Sequence, residues 1–365
     1  MRITFILPGR SLSGGAKVVA TYAERLLRRG HDVRVAYRKR GWPEPWHVRG
    51  FAARCGEQVR SWLAAEKDHL SCLSGDRLIA ASAGRPIAAD DLPDGEAVVA
   101  TWWETAEWVA SLPPSKGRPF YLIQGYEVWG DHPERVDATW RYPMQKIVVS
   151  RWLAYLARGR FGDSRAVLIP NGVDSEQFFA PPRDPHSPPA IGFAYSTTEL
   201  KGIDVVLEVV RQVRQSLPEL RVISFGTQRP DAALPLPRDT IFHRRPPQDS
   251  LRHIYSSCDV WLLTSRREGF GLPALEAMAC RCPVVATRCG GPEDFVRDGV
   301  NGFLVDVDDV RGAADRLVEL LRNSDQLRRF SEAAQQTAAQ FDWDRSTGLL
   351  EGVLTGDPHQ AARKR

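Results

Sequence analysis

The sequence predicts an α/β protein with two Rossmann-like domains that face each other across a cleft. Its 365 residues exceed the usual size of a single hydrophobic core. Short apolar runs typical of buried parallel strands alternate with helical segments in both halves. A proline-rich stretch, residues 178–190, separates the halves and is expected to be extended and stiff. We therefore predict an N-terminal domain of residues 1–178 and a C-terminal domain of residues 179–340, with ligands bound where the strands end.

The composition is that of an ordinary globular protein, with 43% apolar and 26% charged residues. No apolar run approaches the roughly 18 residues that a membrane-spanning helix needs. The apolar run in residues 1–8 is too short for a secretory signal and is expected to form the first strand. A cytoplasmic location is therefore expected.

In the N-terminal half, apolar runs predict strands of one parallel sheet at residues 3–7, 33–36, 97–100, 120–123, 146–149 and 166–169. Helices are expected between them at residues 16–29, 103–111, 133–141 and 152–160. The patterns in residues 38–96 are weak, and only a helix around residues 61–70 is expected there.

A glycine-containing loop, residues 8–15, joins the first strand to the first helix. Gly9 and Gly14 have the separation of a P-loop, but Gly15 and Ala16 occupy the positions where its lysine and hydroxyl residue belong. The spacing required for a dinucleotide-binding fingerprint is absent as well. What remains is that Gly14 and Gly15 let a ligand approach the backbone at a helix N-terminus.

The C-terminal half repeats the alternation. Strands are predicted at residues 190–195, 221–225, 241–242, 260–263, 283–286 and 302–305. Helices are predicted at residues 203–216, about 309–322 and 324–340, followed by a last helix that begins after Trp343 and runs through Leu354.

Residues 264–279, TSRREGFGLPALEAMA, carry the strongest local signal in the chain. Gly269 and Gly271 permit a tight turn after a buried strand, and Pro273 suits the first turn of a helix. A strand, a glycine turn and a helix N-terminus together form a site for an anionic group such as a diphosphate.

Two carboxylates bracket this turn, and a lysine precedes it in the same domain. Glu268 lies in the turn and Glu276 about one helical turn beyond its end, so both can face one ligand. Lys201 follows the first strand of the C-terminal half. A lysine and backbone amides would neutralise a diphosphate, while carboxylates would accept hydrogen bonds from ribose and sugar hydroxyls. A nucleotide-sugar contains all of these groups.

Charge is unevenly distributed along the chain. The net charge is +4, but residues 1–60 contain thirteen Lys and Arg against four Asp and Glu, a balance of +9. Such asymmetry points to an acidic partner, whether anionic lipid, nucleic acid or a phosphorylated acceptor, or else to a solvated basic face. We predict salt-sensitive, peripheral binding to anionic membranes through residues 25–60.

Two further residue types have open interpretations. Cys280, Cys282 and Cys289 are expected to be core thiols beside a buried strand rather than metal ligands, since the six cysteines form no paired CxxC spacing. Most tryptophans are expected to pack in the core, whereas Trp42, Trp46 and Trp129 are candidates for stacking on a sugar or lipid head group.

The motif EGFGLPALEAMA at residues 268–279 resembles that of the family-4 retaining glycosyltransferases of the GT-B fold, also called glycosyl transferases group 1. Its two glutamates are separated by seven residues. Further landmarks agree in order and spacing, namely Gly14-Gly15, Gly30-His31-Asp32-Val33, Val149-Ser150, residues 170–174, residues 283–287, Gly290-Gly291 and residues 298–305.

The resemblance implies a role for each residue of the site. Glu276 would hold the nucleotide ribose and Glu268 the transferred sugar, while Lys201 would bind the diphosphate. The amides around the turn would contact sugar and phosphate, Gly15 would approach from the other domain, and the loop that contains two arginines would flank the base. Lys201 and Glu268 are the predicted catalytic residues. The remaining donor-binding residues on this basis are Gly14, Ser196, Gly269, Phe270, Gly271, Leu272 and Arg244. For Arg244 and its neighbour Arg245, a solvated basic turn is the alternative. A C-terminal helix, about residues 343–356, would return to the N-terminal domain.

This chain departs from the family pattern at two places. Ser196 stands where the family usually has an arginine, five residues before Lys201, so Arg10 or Lys17 of the other domain would supply the charge or the site would differ in detail. The N-terminal histidine of the family is also not evident, although His132 lies just beyond the matching region. Acceptor contacts are predicted there for Gln124, Tyr126 and Glu127.

The resemblance implies transfer of a sugar from a nucleotide-diphosphate-sugar to a saccharide or lipid-linked saccharide, with retention of configuration, in surface polysaccharide or glycoconjugate synthesis. No cofactor, metal ion or nucleic-acid partner is expected. The enzyme would work in the cytoplasm, at the inner face of the membrane. The alternatives are a nucleotide-sugar epimerase of the same fold and a binding protein with a degenerate site.

Overall fold

The computed structural model describes residues 1–39, 68–73, 75–81 and 83–356. The chain divides into two compact units, each assembled from separate stretches. The first comprises Met1–Ile147, Phe161–Val167 and Leu349–Arg365, and the second comprises Val148–Arg160 and Leu168–Gly348. Trp42, Trp46 and most of the helix predicted at residues 61–70 lie outside the described residues, as does much of the predicted membrane-binding segment.

The first sheet has seven strands, in the order β3-β2-β1-β4-β5-β6-β7. They are β1 (Arg2–Leu7), β2 (Asp32–Arg38), β3 (Leu78–Ala81), β4 (Ala97–Ala100), β5 (Arg118–Ile123), β6 (Gln145–Val148) and β7 (Val167–Leu168). The pairs that link β1 with β2 and β4, β2 with β3, and β4 with β5 are all parallel. Almost every residue of β1 and β4 is buried, as expected of strands that are covered on both faces.

The helices of this half are α1 (Gly14–Arg28), α2 (Trp103–Ala110), α3 (Pro133–Thr139) and α4 (Arg151–Phe161). Helix α1 begins after Ser13, whose hydroxyl accepts a hydrogen bond from Ala16 N. Strand β3 lies within residues 38–96, where the sequence predicted no strand. Its four residues are too few for a period to be read, and only Ala81 among them is buried.

The second sheet has six strands in the order β10-β9-β8-β11-β12-β13, all joined by parallel pairs. They are β8 (Ala190–Tyr195), β9 (Arg221–Gly226), β10 (Ile241–Arg244), β11 (Val260–Leu263), β12 (Val284–Thr287) and β13 (Gly302–Val305). The helices are α5 (Ile203–Ser216), α6 (Leu251–Ser256), α7 (Leu272–Ala279), α8 (Val310–Arg322), α9 (Ser324–Ala338) and α10 (Trp343–Thr355). Helices α5 and α8 pack their valines and leucines on the sheet and form its main core.

Both sheets contain the strand order of a Rossmann fold, 3-2-1-4-5-6 when strands are counted within each half. In such a sheet, the chain leaves the first and the fourth strand toward opposite sides. The crevice outside the carboxyl ends of these two strands is where ligands bind in this class of fold. The positions are the ends of β1 and β4 in the first sheet and of β8 and β11 in the second.

The observed division of the chain differs from the predicted boundary at residue 178. Residues 148–160 group with the second unit because the start of α4 bonds with that unit's loops. Arg151 N and Nε donate to the Asp294 carboxylate at 2.8 and 3.0 Å. In α10, residues from Leu349 onward group with the first unit, where Glu351 Oε1 lies 2.9 Å from His31 Nε2.

None of the helices in the described part of the chain has both the length and the apolar character that crossing a bilayer requires.

Candidate functional site

Two loops at the carboxyl edge of the second sheet form the candidate site. The first follows β8, ends at Gly202 and contains Lys201 in a short 3₁₀ turn (Glu199–Lys201). The second follows β11 and leads into α7 through residues 264–271. Because β8 and β11 are the neighbouring strands at which the strand order reverses, these loops flank the expected ligand crevice.

The two loops are joined by hydrogen bonds. Arg266 N donates to Leu200 O at 2.8 Å, and Thr264 Oγ1 donates to Gly202 O at 2.8 Å. Gly202 has a φ of 60°, and a Cβ atom added to it would lie 2.2 Å from Thr264 O. Only glycine fits such a close approach in a left-handed conformation. The position of Lys201, the preceding residue, is therefore fixed by the second loop.

Lys201 and Glu268 form an ion pair at the centre of these loops. Lys201 Nζ lies 2.7 Å from Glu268 Oε1, and Ser265 Oγ donates to the same oxygen at 2.8 Å. The Glu268 side chain is 11% exposed and the Lys201 side chain 41%. Burial lowers the pKa of Lys201, but the charge and hydrogen bond of Glu268 outweigh it, so the pKa is raised overall. Lys201 is therefore a fixed cation that remains accessible to a ligand.

The turn before α7 has the backbone geometry predicted for an anion site. Gly271 has a φ of 92° and caps the helix, and Pro273 occupies its first turn. Phe270 is buried against Phe295, with 5.5 Å between ring centroids. Gly291 packs on Phe270 so closely that an added Cβ atom would lie 2.3 Å from its Cα. The helix N-terminus, with its partial positive charge, is thus held rigidly in place.

Trp152, at the start of α4, supports the same turn and was not predicted as a site residue. Its indole Nε1 donates to Glu268 O at 2.9 Å and lies 3.3 Å from Gly269 O. Gly290, with a φ of 108°, leaves the room for this ring, since an added Cβ atom would lie 2.5 Å from Trp152 Nε1. The sequence landmark Val149-Ser150 lies just before Trp152, but nothing in the sequence indicates which loop the indole contacts.

Glu276 lies in α7 and is held by Tyr255 of α6. Tyr255 OH donates to Glu276 Oε2 at 2.8 Å, and both residues are buried. Burial, together with the Glu276 charge and the hydrogen bond, raises the pKa of Tyr255 well above its usual value, so the phenol remains a donor. Tyr255 was not predicted because its six-residue helix carries too short a pattern to recognise. The carboxylate of Glu276 is therefore oriented before any ligand arrives.

The other predicted donor-binding residues of this unit lie at the same sheet edge. Ser196 directly follows β8, and its hydroxyl accepts a hydrogen bond from Thr198 N at 3.3 Å. Arg244 is the last residue of the edge strand β10 and is exposed. Arg245 has a φ of 47°, and its Nε donates to Thr227 O at 3.0 Å. Arg244 thus presents a positive charge at this edge, beside strand β9.

In the first unit, the predicted residues Gly15 and Gln124 meet at the carboxyl edge of the first sheet. Gln124 Nε2 lies 3.4 Å from Gly15 O, and a Cβ atom added to Gly15 would be 3.4 Å from the same nitrogen. Gly14 and Gly15 are the first two residues of α1 rather than part of the preceding loop. Contact of Gly14 and Gly15 with a donor stays a prediction, as does contact of Gln124 with an acceptor.

Arg10 was one of two candidates to replace the arginine missing at Ser196. Its guanidinium bonds with both carboxylate oxygens of Asp68, with 2.8 Å between Nη2 and Oδ1. This hydrogen bond raises the pKa of Arg10 above its usual value, against the opposing effect of burial. The charge of Arg10 is therefore already neutralised within the first unit.

Two of the three predicted acceptor residues are engaged in the fold. Tyr126 OH donates to Asp137 Oδ1 at 2.6 Å. Glu127 is 4% exposed, and its Oε2 accepts a hydrogen bond from Trp103 N at the start of α2. Burial raises the pKa of Glu127 well above its usual range, in opposition to that hydrogen bond. These positions argue against direct contact between Glu127 and an acceptor.

Replacing Glu127 by glutamine is expected to stabilise the protein increasingly as pH rises. A carboxyl group with a raised folded-state pKa contributes its full stability below the unfolded value of about 4.3 and loses it as pH increases. Glutamine keeps the oxygen that accepts from Trp103 N and cannot ionise. Thermal unfolding at pH 5 and pH 8 checks this, with the exposed Glu134→Gln as control. An equal shift at both pH values for Glu127→Gln would contradict the assignment.

Most of the second domain matches a known protein family. Residues 174–337 match the family of glycosyl transferases group 1. The matched residues include the motif at residues 268–279 and the Lys201–Glu268 pair. The resemblance inferred from that motif is thereby confirmed.

Relatives of the group 1 domain include proteins named D-inositol 3-phosphate glycosyltransferase. The one from Corynebacterium urealyticum is 36% identical over 180 residues, which is 46% of this chain and 42% of the relative. The one from Xylanimonas cellulosilytica is 32% identical over 224 residues, which is 55% of this chain and 52% of the relative. The chain thus spans about half the length of the curated relatives it matches.

Solved structures are similar over nearly the entire chain. Sucrose-phosphate synthase from Thermosynechococcus elongatus gives a TM-score of 0.70 at 18% identity, covering 99% of this chain and 100% of that one. HepE from Anabaena, solved in complex with UDP and glucose, gives 0.73 at 17% identity, covering 98% and 100%. The chain has the GT-B fold, and the predicted fold class of two Rossmann-like α/β domains is confirmed.

Proposed function

We propose that this protein is a retaining glycosyltransferase that moves a hexosyl group from a nucleotide-diphosphate-sugar to an acceptor hydroxyl. One observation carries the proposal above all others. A fixed lysine lies 2.7 Å from a carboxylate, beside a helix N-terminus, at the strand ends where the strand order of the second sheet reverses. A cation and a helix dipole suit a diphosphate, and a carboxylate suits the hydroxyls of the sugar attached to it.

In the proposed reaction, the bond between the sugar C1 and the β-phosphate oxygen breaks, and a bond forms between C1 and the acceptor oxygen on the same face. The acceptor proton passes to the oxygen of the departing diphosphate. Lys201 and the first turn of α7 stabilise the negative charge that develops on that leaving group. No carboxylate nucleophile is required, in contrast to retaining glycosidases. The proposal includes no metal ion.

Donor binding would redistribute the Lys201–Glu268 ion pair. In the free protein, each charge compensates the other, and Ser265 adds a hydrogen bond to Glu268. A diphosphate would draw the ammonium toward itself, while Glu268 would accept hydrogen bonds from sugar hydroxyls. Glu276, already oriented by Tyr255, would accept from the ribose hydroxyls. The site would thereby replace one ion pair by two ligand contacts, one with the diphosphate and one with the sugar.

The donor and the acceptor are proposed at the level of chemical class. UDP is the first candidate for the nucleotide, because the similar protein HepE was solved with UDP and with UDP-glucose. For the acceptor, we propose a saccharide or lipid-linked saccharide used in surface polysaccharide or glycoconjugate synthesis. The reaction would take place in the cytoplasm, with the protein bound to an anionic membrane face through its basic N-terminal residues.

A thermal-shift and calorimetry screen of UDP, GDP, dTDP and ADP tests the donor site. We expect one nucleoside diphosphate to stabilise the protein in a saturable manner, and its Kd to rise about tenfold or more in Glu276→Ala, because a charge-assisted hydrogen bond is lost. The exposed Glu134→Ala, in the first unit, is the control. Absence of binding by all four would favour a degenerate site and contradict the proposal.

Product analysis separates transfer from epimerisation. With donor and a panel of saccharides, NMR of the product should show the anomeric configuration of the donor. Without acceptor, the nucleotide-sugar should remain unchanged or hydrolyse slowly. Epimerised nucleotide-sugar as the main product would replace the transferase proposal by the epimerase alternative.

A further inference from the structure

Two tryptophans form an exposed aromatic surface at the carboxyl edge of the first sheet. Trp102 lies between β4 and α2, and Trp129 lies in the segment that follows β5. Their ring centroids are 6.0 Å apart and their planes are inclined by 62°. Trp102 is half-buried and Trp129 is 46% exposed. We call Trp102 and Trp129 the tryptophan pair.

The tryptophan pair adjoins the expected ligand crevice of this sheet. Trp102 is the second residue after the end of β4, one of the two strands at which the strand order reverses. A Cβ atom added to Gly125 would lie 3.8 Å from the tip of the Trp129 ring, so this ring covers the residue next to Gln124. Gln124 in turn contacts Gly15 at the start of α1, which follows the loop after β1, the other of these two strands. The Trp129 ring and Gln124 therefore belong to one segment at the sheet edge where a small-molecule ligand is expected.

The backbone holds the more buried member of the pair in position. Trp102 N donates to Thr105 Oγ1 at 2.9 Å, at the N-terminus of α2. The Trp129 ring is as exposed as that of Phe179, at 46%, but the Phe179 ring has the Arg252 guanidinium 4.9 Å above it. A large aromatic face in solvent at a ligand crevice suits a binding surface.

Two arginines of the first unit are paired with carboxylates within the fold. Arg10, in the β1–α1 loop, bonds with both oxygens of Asp68. Arg135, in α3, bonds with both oxygens of Glu107, and its guanidinium lies 4.6 Å from the centre of the Trp103 ring. These two arginines are therefore committed to carboxylates. The chemistry that the tryptophan pair and Gln124 offer is an apolar face with a neutral hydrogen-bonding group.

We propose that Trp102, Trp129 and Gln124 form an acceptor subsite for an uncharged glycosyl unit, an inference that rests on the proposed function. One face of a pyranose ring consists of C–H groups and stacks on an aromatic ring, while its edge carries hydroxyls that an amide can bind. The acceptor would accordingly be a neutral glycoside rather than a phosphorylated polyol. This chain would differ in that respect from the relatives named D-inositol 3-phosphate glycosyltransferase.

Saturation-transfer NMR on the full chain, with its donor nucleotide bound, tests the subsite. The probes are methyl glucoside, methyl galactoside, maltose, cellobiose and D-inositol 3-phosphate. We expect at least one neutral glycoside to receive saturation mainly on the C–H protons of one face. In Trp129→Ala, the acceptor KM or Kd should rise about 2- to 10-fold, the range for one aromatic contact, with kcat nearly unchanged. Trp129→Phe should recover part of the loss.

Phe179→Ala is the matched control, because Phe179 is equally exposed and lies in the other unit. Trp102→Phe, which keeps a ring in the half-buried position, should raise the Kd of the glycoside without lowering the melting temperature by more than about 2 °C. Saturation of D-inositol 3-phosphate that persists in Trp129→Ala, with none for the neutral glycosides, would overturn the inference. So would an unchanged glycoside Kd in Trp129→Ala.

The proposed function fails separately. If none of the nucleoside diphosphates binds the wild type, then the donor site itself is wrongly assigned. If a nucleotide binds equally to the wild type and to Trp129→Ala while the glycosides show no dependence on Trp129, then only the acceptor subsite is wrong.

Discussion

Replacing Lys201 by alanine is expected to slow sugar transfer by about 100- to 1,000-fold, the usual loss when one group that stabilises developing charge is removed. The ammonium would compensate the diphosphate as the sugar departs, so the loss should appear in kcat and not only in donor affinity. Steady-state kinetics with saturating acceptor measure this. Lys201→Arg should retain part of the rate, since it keeps the charge but not the length.

Lys116→Ala is the control for the loss of a lysine that pairs with a carboxylate, because Lys116 Nζ lies 2.8 Å from Asp94 Oδ1 in the first unit. It should leave kcat within about twofold, as expected for a surface pair. A Lys201→Ala variant with full kcat would show that the leaving group is stabilised elsewhere. In that case, the pairing of Lys201 with Glu268 would serve only to hold the two loops together.

Replacing Gly202 by alanine is expected to lower the free energy of unfolding of the second domain by about 2–5 kcal/mol. The left-handed backbone at residue 202 costs an alanine roughly 1–2 kcal/mol, and overpacking adds about 1–3 kcal/mol. The added methyl group would lie 2.2 Å from Thr264 O, so the loop that carries Lys201 must move away from the second loop. Denaturant unfolding followed by circular dichroism measures the change.

Gly299→Ala separates the two contributions to this loss. Gly299 has a similar positive φ of 74°, but an added Cβ atom there meets nothing within 4 Å. This control should therefore lose only the backbone contribution and keep its activity. If Gly202→Ala and Gly299→Ala are destabilised equally, then the contact with Thr264 O relaxes without cost, and Lys201 is less rigidly fixed than its surroundings indicate.

Most of the parallel strands could be predicted from the sequence because they are almost continuous apolar runs. Strand β3 was missed, and only one of its four residues is buried. Helix α6 was missed because six residues are too few for a helical period to emerge. Because α6 was not predicted, its residue Tyr255 was not predicted as part of the site, nor was the hydrogen bond that orients Glu276.

Contacts between distant residues were the other limit. Lys201 and Glu268 were each predicted as site residues, but their ion pair joins positions 67 residues apart, and only the folded loops bring them together. Glu127 shows the same limit. It lies three residues after Gln124, and the direction of its side chain depends on the start of α2, because its carboxylate accepts a hydrogen bond from Trp103 N. Sequence neighbours do not reveal that direction.

During synthesis on the ribosome, the first unit is completed after the second. Residues 148–160 emerge before the proline-rich linker yet belong to the second unit, and residues from Leu349 onward join the first only after the whole second unit has been synthesised. Severing the linker would accordingly not release two self-sufficient fragments. The C-terminal fragment would lack the Trp152 indole that holds Glu268 O, and the N-terminal fragment would lack the Glu351 carboxylate that bonds with His31.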